Sequence, residues 1–330
     1  MSASRSASGH ARYRAPRWLA GGHAQTIVPR FLAPPPVVYR RERVLTPDGD
    51  FWDFDWSTAA AQNDKAPLVV LFHGLESGSN SHYARALMAG VAEIGWRGVI
   101  PHFRGCSGEP NLLPRAYHSG DHEEVGAMLA AIRARIGRDV PLYAAGVSLG
   151  GSALLNWLGR AGPGASASLG AAAAVSAPID LTAAGIAIGR GLNLVYTWYF
   201  LATLKPKGHA LARRFPGLLD EARLSRIRSM YDFDEAVTAP LHGFAGAADY
   251  WKRASSKPWL ADIAVPTLVL NAINDPFIPG DSLPGRDAVG RSVLLELPEH
   301  GGHAGFPEAP FPGQLTWMPH RLLRFFRTGQ

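Results

Sequence analysis

Leu142-Tyr143-Ala144-Ala145-Gly146-Val147-Ser148-Leu149-Gly150-Gly151 passes from an apolar strand, through one serine between glycines, into a helix reaching about Leu158. The pattern Gly146-x-Ser148-x-Gly150 occurs by chance in many chains, but in a strand–turn–helix setting it reads as a sharp elbow. Such a turn forces strained backbone on Ser148, so the residues two before and two after it must be small. Gly146 and Gly150 meet that need, and Gly151 lets the helix pass close to the sheet. A serine hydroxyl is a weak nucleophile until a base takes its proton. The elbow therefore calls for a histidine and an orienting acid further along the chain.

Outward from the elbow the pattern is strand, helix, strand, helix. Leu68 to Phe72 is a continuous apolar run, as in a strand buried on both faces, and Gly98-Val99-Ile100 begins another. Tyr83, Leu87, Met88, Val91 and Ile94 recur at helical spacing between them, and a second helix is expected from about Gly120 to Ile136. Ala171 to Ser176, Thr267 to Asn271 and Ser292 to Leu297 read as later strands. Ahead of them, Val37 to Leu45 and Phe51 to Trp56 flank the turn Pro47-Asp48-Gly49-Asp50, a hairpin with one face expected to be buried. The fold class is α/β, a mostly parallel sheet covered on both faces, with its chemistry beyond the carboxyl ends of the strands.

Between Asp180 and Asp262 the alternation stops. This stretch is helical and aromatic, with Tyr196, Trp198, Tyr199, Phe200, Tyr231, Phe233, Phe244, Tyr250 and Trp251. Its place between two strands predicts a helical cap over residues 180–262, with the aromatics on its underside above an apolar pocket. The core then comprises 15–179 and 263–330, preceded by a frayed tail over 1–14 and broken locally at Pro34-Pro35-Pro36.

Two strand ends supply the missing partners. Asp275 directly follows the strand Thr267 to Leu270, and His303 follows the last strand in His300-Gly301-Gly302-His303. Their chain order, Ser148, Asp275, His303, is the one this elbow requires. His300 is a rival base, but the glycines before His303 let its loop swing toward Ser148; Asp180 and Asp281 are rival acids. Two backbone N–H groups must face the developing oxyanion. Leu149, after the nucleophile, is one, and Leu75 in His73-Gly74-Leu75-Glu76 is the other, with His73 bracing that loop.

Other readings are weaker. His118 and His122 stand four apart like a zinc pair, but Gly120 lies between them at a helix start and no acid occupies the base position, so no metal or cofactor is expected. Cys106 lies in a loop with His102 as the one histidine near it in sequence. Asp249, Tyr250 and Trp251 suit packing and capping within the cap. With 330 residues, 47% of them apolar and 18% charged, the chain can bury a large core, which excludes a disordered or fibrous protein. The net charge of +6 is scattered, without basic runs interleaved with aromatics, so nucleic acid is not an expected partner. A single cysteine excludes an internal disulfide and suits a reducing, cytoplasmic setting. No secretory segment or membrane span is expected, Leu192 to Leu204 being too short. Arg213, Arg214, Arg223, Arg226 and Arg228 suit either peripheral membrane contact or a solvated helix face.

The chain resembles the α/β-hydrolases, and more narrowly their YheT-like branch, also called abhydrolase type 4. The resemblance is carried by the elbow and by Trp18 with Gly21-Gly22-His23-Ala24-Gln25-Thr26, by His73-Gly74-Leu75-Glu76-Ser77 and by His102 to Asn111. Tyr117-His118-Ser119-Gly120-Asp121, Ser176 to Leu181 and Gly301-Gly302-His303 complete it, over about Ala15 to Phe326. It implies an α/β-hydrolase fold and a serine carboxylesterase or lipid-type acyl hydrolase, acting on a small ester, with Ser148, Asp275 and His303 as its triad. Transfer of the acyl group to an alcohol, and a non-catalytic binding role on the same scaffold, are the alternatives to hydrolysis.

Overall fold

The computed structural model describes residues 12–32, 37–59 and 61–330. The Pro34–Pro36 break and most of the expected tail lie outside the described residues. One residue assigned to that tail is corrected: Tyr13 is buried, packs edge-on against Phe306 and Trp317, and donates its hydroxyl to Pro307 O at 2.6 Å.

Eight strands form one sheet in the order β1-β2-β4-β3-β5-β6-β7-β8. They are β1 Tyr39–Leu45, β2 Phe51–Ser57, β3 Leu68–Phe72, β4 Arg97–Pro101, β5 Leu142–Val147, β6 Ala171–Val175, β7 Thr267–Leu270 and β8 Val293–Glu296. From β4 to β8 every pairing is parallel, while β1 and β2 close one edge as an antiparallel hairpin. Successive residues of β3 feed opposite cores. Leu68, Val70 and Phe72 pack with α3 (His122–Ile136) and α4 (Leu149–Ala161). Val69 and Leu71 pack with α2 (His82–Glu93) and α11 (Trp317–Thr328). Each of these fully buried side chains contributes about 1.5–3 kcal/mol, which is why the run is apolar at every position.

The hairpin departs from the expectation of one buried face. Both faces of Phe51 to Asp55 are buried, and the inward acids are answered from β1. Arg43 pairs with Asp53 and Arg41 with Asp55 through two hydrogen bonds each, at 2.7–2.9 Å. These acids are therefore buried ion-pair partners rather than a solvent face, because a carboxylate is tolerated inside only when charge and hydrogen bonds meet it.

Between β6 and β7 the chain forms α5 (Leu181–Ile188), α6 (Leu194–Arg214), α7 (Glu221–Ser225), α8 (Met230–Phe233), a π-helical turn over Asp234–Thr238, α9 (Ala239–His242) and α10 (Ala247–Ala254). Leu201, Leu204, Leu224, Phe233 and Val237 give this layer a small core of its own. Among the described residues no helix is long and apolar enough to cross a membrane.

Candidate active site

Ser148 sits between β5 and α4 with φ 54° and ψ −123°, a conformation costing a non-glycine residue about 1–3 kcal/mol. Packing holds it there. A Cβ on Gly146 would lie 2.5 Å from Gly150 O, and one on Gly150 would lie 2.4 Å from Phe72 O. Helix α4 can therefore leave β5 this sharply only with glycine at both positions. The Ser148 N–H is fixed to Val175 O at 2.9 Å, tying the elbow to the next strand.

The loops that carry Asp275 and His303 meet each other, and His303 shares a cavity with Ser148. Asp275 Oδ2 accepts from His303 Nδ1 at 2.8 Å, and its Oδ1 accepts from Phe277 N at 2.8 Å. The Asp275 side chain has no exposed surface, while the His303 ring is slightly open and, like Ser148, lines one large cavity. The bond at Nδ1 leaves Nε2 as the free ring nitrogen. The rival groups have other work or other positions. Asp180 caps α5 by accepting from Ala183 N and pairs with Lys257, Asp281 is exposed in a short turn, and His300 is exposed beside Asn274.

A brace missed in the sequence holds the base loop in place. Gln25 Oε1 accepts from both Gly301 N and Asn274 Nδ2 at 2.9 Å, and its Nε2 donates to Leu19 O at 2.8 Å. Thr26 Oγ1 accepts from His303 N at 2.9 Å, and Asn274 Oδ1 accepts from Gly302 N at 3.1 Å. Helix α1 (Gly22–Ile27) is thus wedged between the acid and base loops. The wedge is close enough that a Cβ on Gly22 would sit 1.9 Å from Asn274 O, and one on Gly305 2.1 Å from Gln25 O. From the other side Ser176 Oγ accepts from Ala304 N at 2.9 Å. The signal present in the sequence was the run Gly21 to Thr26 and the asparagine beside Asp275. Nothing in it pairs residues some 250 positions apart.

The loop after β3 approaches the serine closely, since a Cβ on Gly74 would lie 3.2 Å from Ser148 Cβ. Gly74 N donates to Tyr83 Oη at 2.9 Å and Glu76 N to Tyr117 Oη at 2.7 Å. The N–H groups of Leu75 and Leu149 have no hydrogen-bond partner among the described residues, and both residues line the cavity. His73 Nδ1 donates to Gly74 O at 2.8 Å while its Nε2 accepts from Phe103 N at 3.2 Å. One ring nitrogen gives and the other takes, so the imidazole is neutral, and burial lowers its pKa to about 3. His73 braces the loop.

Arg104 is likewise structural. It is buried among Asp48, Asp50 and Glu124, and Asn111 donates to Asp50 at 2.8 Å. His118 lies against His242, and its Nδ1 accepts from Gly120 N at 3.2 Å, the arrangement of a helix start. Cys106 reaches the cavity, but burial pushes its thiol up to about 12, far from the thiolate a nucleophile needs.

The cavity measures ≈ 660 Å³. Its floor is Ser148, Leu149, Leu75 and His303, and its roof comes from Phe200, Leu204, Leu211, Phe233, Val237 and Trp251. The roof is apolar but not made of every aromatic in the insertion. Trp198, Tyr199 and Tyr231 are exposed, which corrects the expectation that the aromatics gather on the underside. They lie on outward-facing helix surfaces, where local sequence cannot tell inside from outside. One roof carboxylate, Asp234, is buried, accepts from Thr238 Oγ1 and Trp251 Nε1 at 2.7 Å, and has its pKa raised by burial to about 6.

Residues 67–310 match the family described as the alpha/beta hydrolase fold. The chain is 39% identical over 283 residues to YheT of Escherichia coli (strain K12), covering 85% of this chain and 82% of that one. It is 31% identical over 316 residues to phospholipase ABHD3 of Homo sapiens, covering 93% and 76%. In shape it is similar to the Pyrococcus furiosus esterase Pf2001, with a TM-score of 0.55, 15% identity, and 89% and 98% of the two chains covered. An elbow serine at the end of a parallel sheet, with this degree of likeness along nearly the whole chain, has one meaning: the chain belongs to the α/β-hydrolase family, in its YheT-like branch.

Proposed function

We propose that the protein is a serine hydrolase cleaving carboxylic esters of short to medium or lipid-like acyl chains, with Ser148, His303 and Asp275 as its triad. The observation that carries this reading is the 2.8 Å bond from His303 Nδ1 to buried Asp275, with His303 and the strained Ser148 lining the same apolar cavity.

In this reading His303 Nε2 takes the Ser148 hydroxyl proton as Oγ attacks the ester carbonyl. Asp275 holds the tautomer and stabilises the imidazolium, and the Leu75 and Leu149 N–H groups receive the oxyanion. Collapse of the tetrahedral species breaks the bond to the alkoxy oxygen, which leaves as an alcohol with the proton from His303. Water then attacks the acyl-enzyme, giving its proton to His303. The second collapse releases the acid and returns the proton to Ser148. The apolar roof suits an acyl chain, and the relatives named as an esterase and a phospholipase act within the same broad class.

The test is hydrolysis of p-nitrophenyl esters from acetate to laurate, with Ser148→Ala alongside and fluorophosphonate labelling of both. Serine-dependent turnover with a chain-length optimum beyond acetate is expected. A folded wild-type protein that neither turns over any ester nor labels at Ser148 overturns the reading, and activity confined to acetyl esters removes the acyl-pocket part of it.

A further inference from the structure

The first turns of α6 are apolar on both sides. Phe200 and Leu204 face the cavity, while Val195, Trp198 and Tyr199, with Leu192 in the turn just before the helix, face outward, Trp198 being 64% and Leu192 73% exposed. A helix that is apolar all round is normally covered on every side. Ile27, at the end of α1, is also exposed. Arg30 joins the two segments. Its guanidinium donates to Tyr199 Oη at 2.5 Å and lies 4.5 Å above that ring.

The two segments that form the patch carry charge of one sign. Residues 181–219 contain no Asp or Glu, and residues 12–32 contain no acid either, while Arg190 and Arg30 stand beside the exposed side chains. Glu76, which borders a shallow pocket with Arg30 and Tyr199, is almost wholly buried and already paired with Lys207 at 2.7 Å. Two copies meeting face to face would set Arg30 and Arg190 against their equivalents without a carboxylate to answer them. A Trp–Tyr pair with aliphatic neighbours and a cationic rim matches the headgroup zone of a membrane, where the rings lie at the interface and arginines reach the phosphates.

We infer that this face, formed by Leu192, Val195, Trp198, Tyr199 and Ile27 and rimmed by Arg30 and Arg190, docks the protein on an anionic lipid bilayer. This is a different surface from the Arg213–Arg228 group. It goes beyond ester cleavage, because docking needs no catalytic residue. It also sets the bilayer against the outer face of the helix whose inner face roofs the cavity.

The test is co-sedimentation of the full chain with phosphatidylcholine vesicles, pure or carrying about 30 mol% phosphatidylglycerol. The wild type is expected to partition onto the anionic vesicles and to release as salt is raised. Val195→Glu with Trp198→Glu should weaken partitioning about tenfold or more. Neither side chain lines the cavity, so thermal unfolding and turnover of a soluble short ester should match the wild type. Ser148→Ala protein should bind vesicles as the wild type does, so failure of the hydrolase reading would leave this result standing. Equal vesicle binding by wild type and the double variant overturns the inference, as does no binding by the wild type. A wild-type dimer that Trp198→Glu dissociates overturns it in favour of a second copy.

Discussion

The floor and the roof of the cavity are built by opposite means. On the floor, Ser148, His303 and Asp275 are held by backbone hydrogen bonds and by buried amide and hydroxyl groups from three distant segments. On the roof, the lining is side-chain packing within a helical layer that has its own small core. A floor of this kind tolerates no displacement, since reacting groups must stay within a fraction of an ångström of productive geometry. A roof of this kind can be reshaped without moving the chemistry. On the proposed function, the difference assigns rate to one region and chain-length preference to the other.

The sharpest way to break that division is at the serine. Ser148→Ala should lower kcat by about 10⁴-fold or more with an unchanged unfolding midpoint, read by ester hydrolysis and circular dichroism. Gln25→Ala tests whether the brace belongs to the floor. It removes the acceptor for Gly301 N and Asn274 Nδ2, and kcat should fall about 10²-fold with KM nearly unchanged. Gln25→Glu keeps both acceptor bonds and should recover part of the loss, whereas a purely structural role would move stability and KM together.

The remaining two changes act on the roof. Asp234 has its pKa raised by burial from 3.8 to about 6, so the unfolded chain ionises first as pH rises. Its contribution to stability is therefore highest below pH 4, falls between about 4 and 6, and stays low above. Asp234→Asn should abolish that decline and raise stability at pH 7.5 by about 3 kcal/mol, measured by denaturant unfolding at pH 4 and 7.5. Turnover should change little. Leu211→Trp should fill part of the cavity and shift preference toward shorter esters by about tenfold, with acetate turnover kept. If that substitution instead lowered kcat equally for every chain length, the separation of roof from floor would fail.

Sequence and structure divided the information along similar lines. β3 was legible because five consecutive apolar residues serve two cores, and the structure bounds it at Leu68 and Phe72. The elbow was legible because the close approach of α4 leaves only glycine possible at 146 and 150. The hairpin misled because Asp53 and Asp55 look like a solvent face until Arg41 and Arg43 are brought opposite them. The aromatics of the insertion misled for a related reason: helical spacing fixes which residues share a side, not which side meets the cavity.

By itself, then, the sequence determined what is local in cause. It determined the buried strands and the strained turn, because steric and periodic constraints act between residues a few positions apart. Only the tertiary structure decided that Gln25, Thr26 and Asn274 hold the His303 loop, and that Phe200 roofs the cavity while Trp198 faces outward. Those relations are contacts across up to 277 positions of chain, and a hydrogen bond at that separation exists only once the chain has folded.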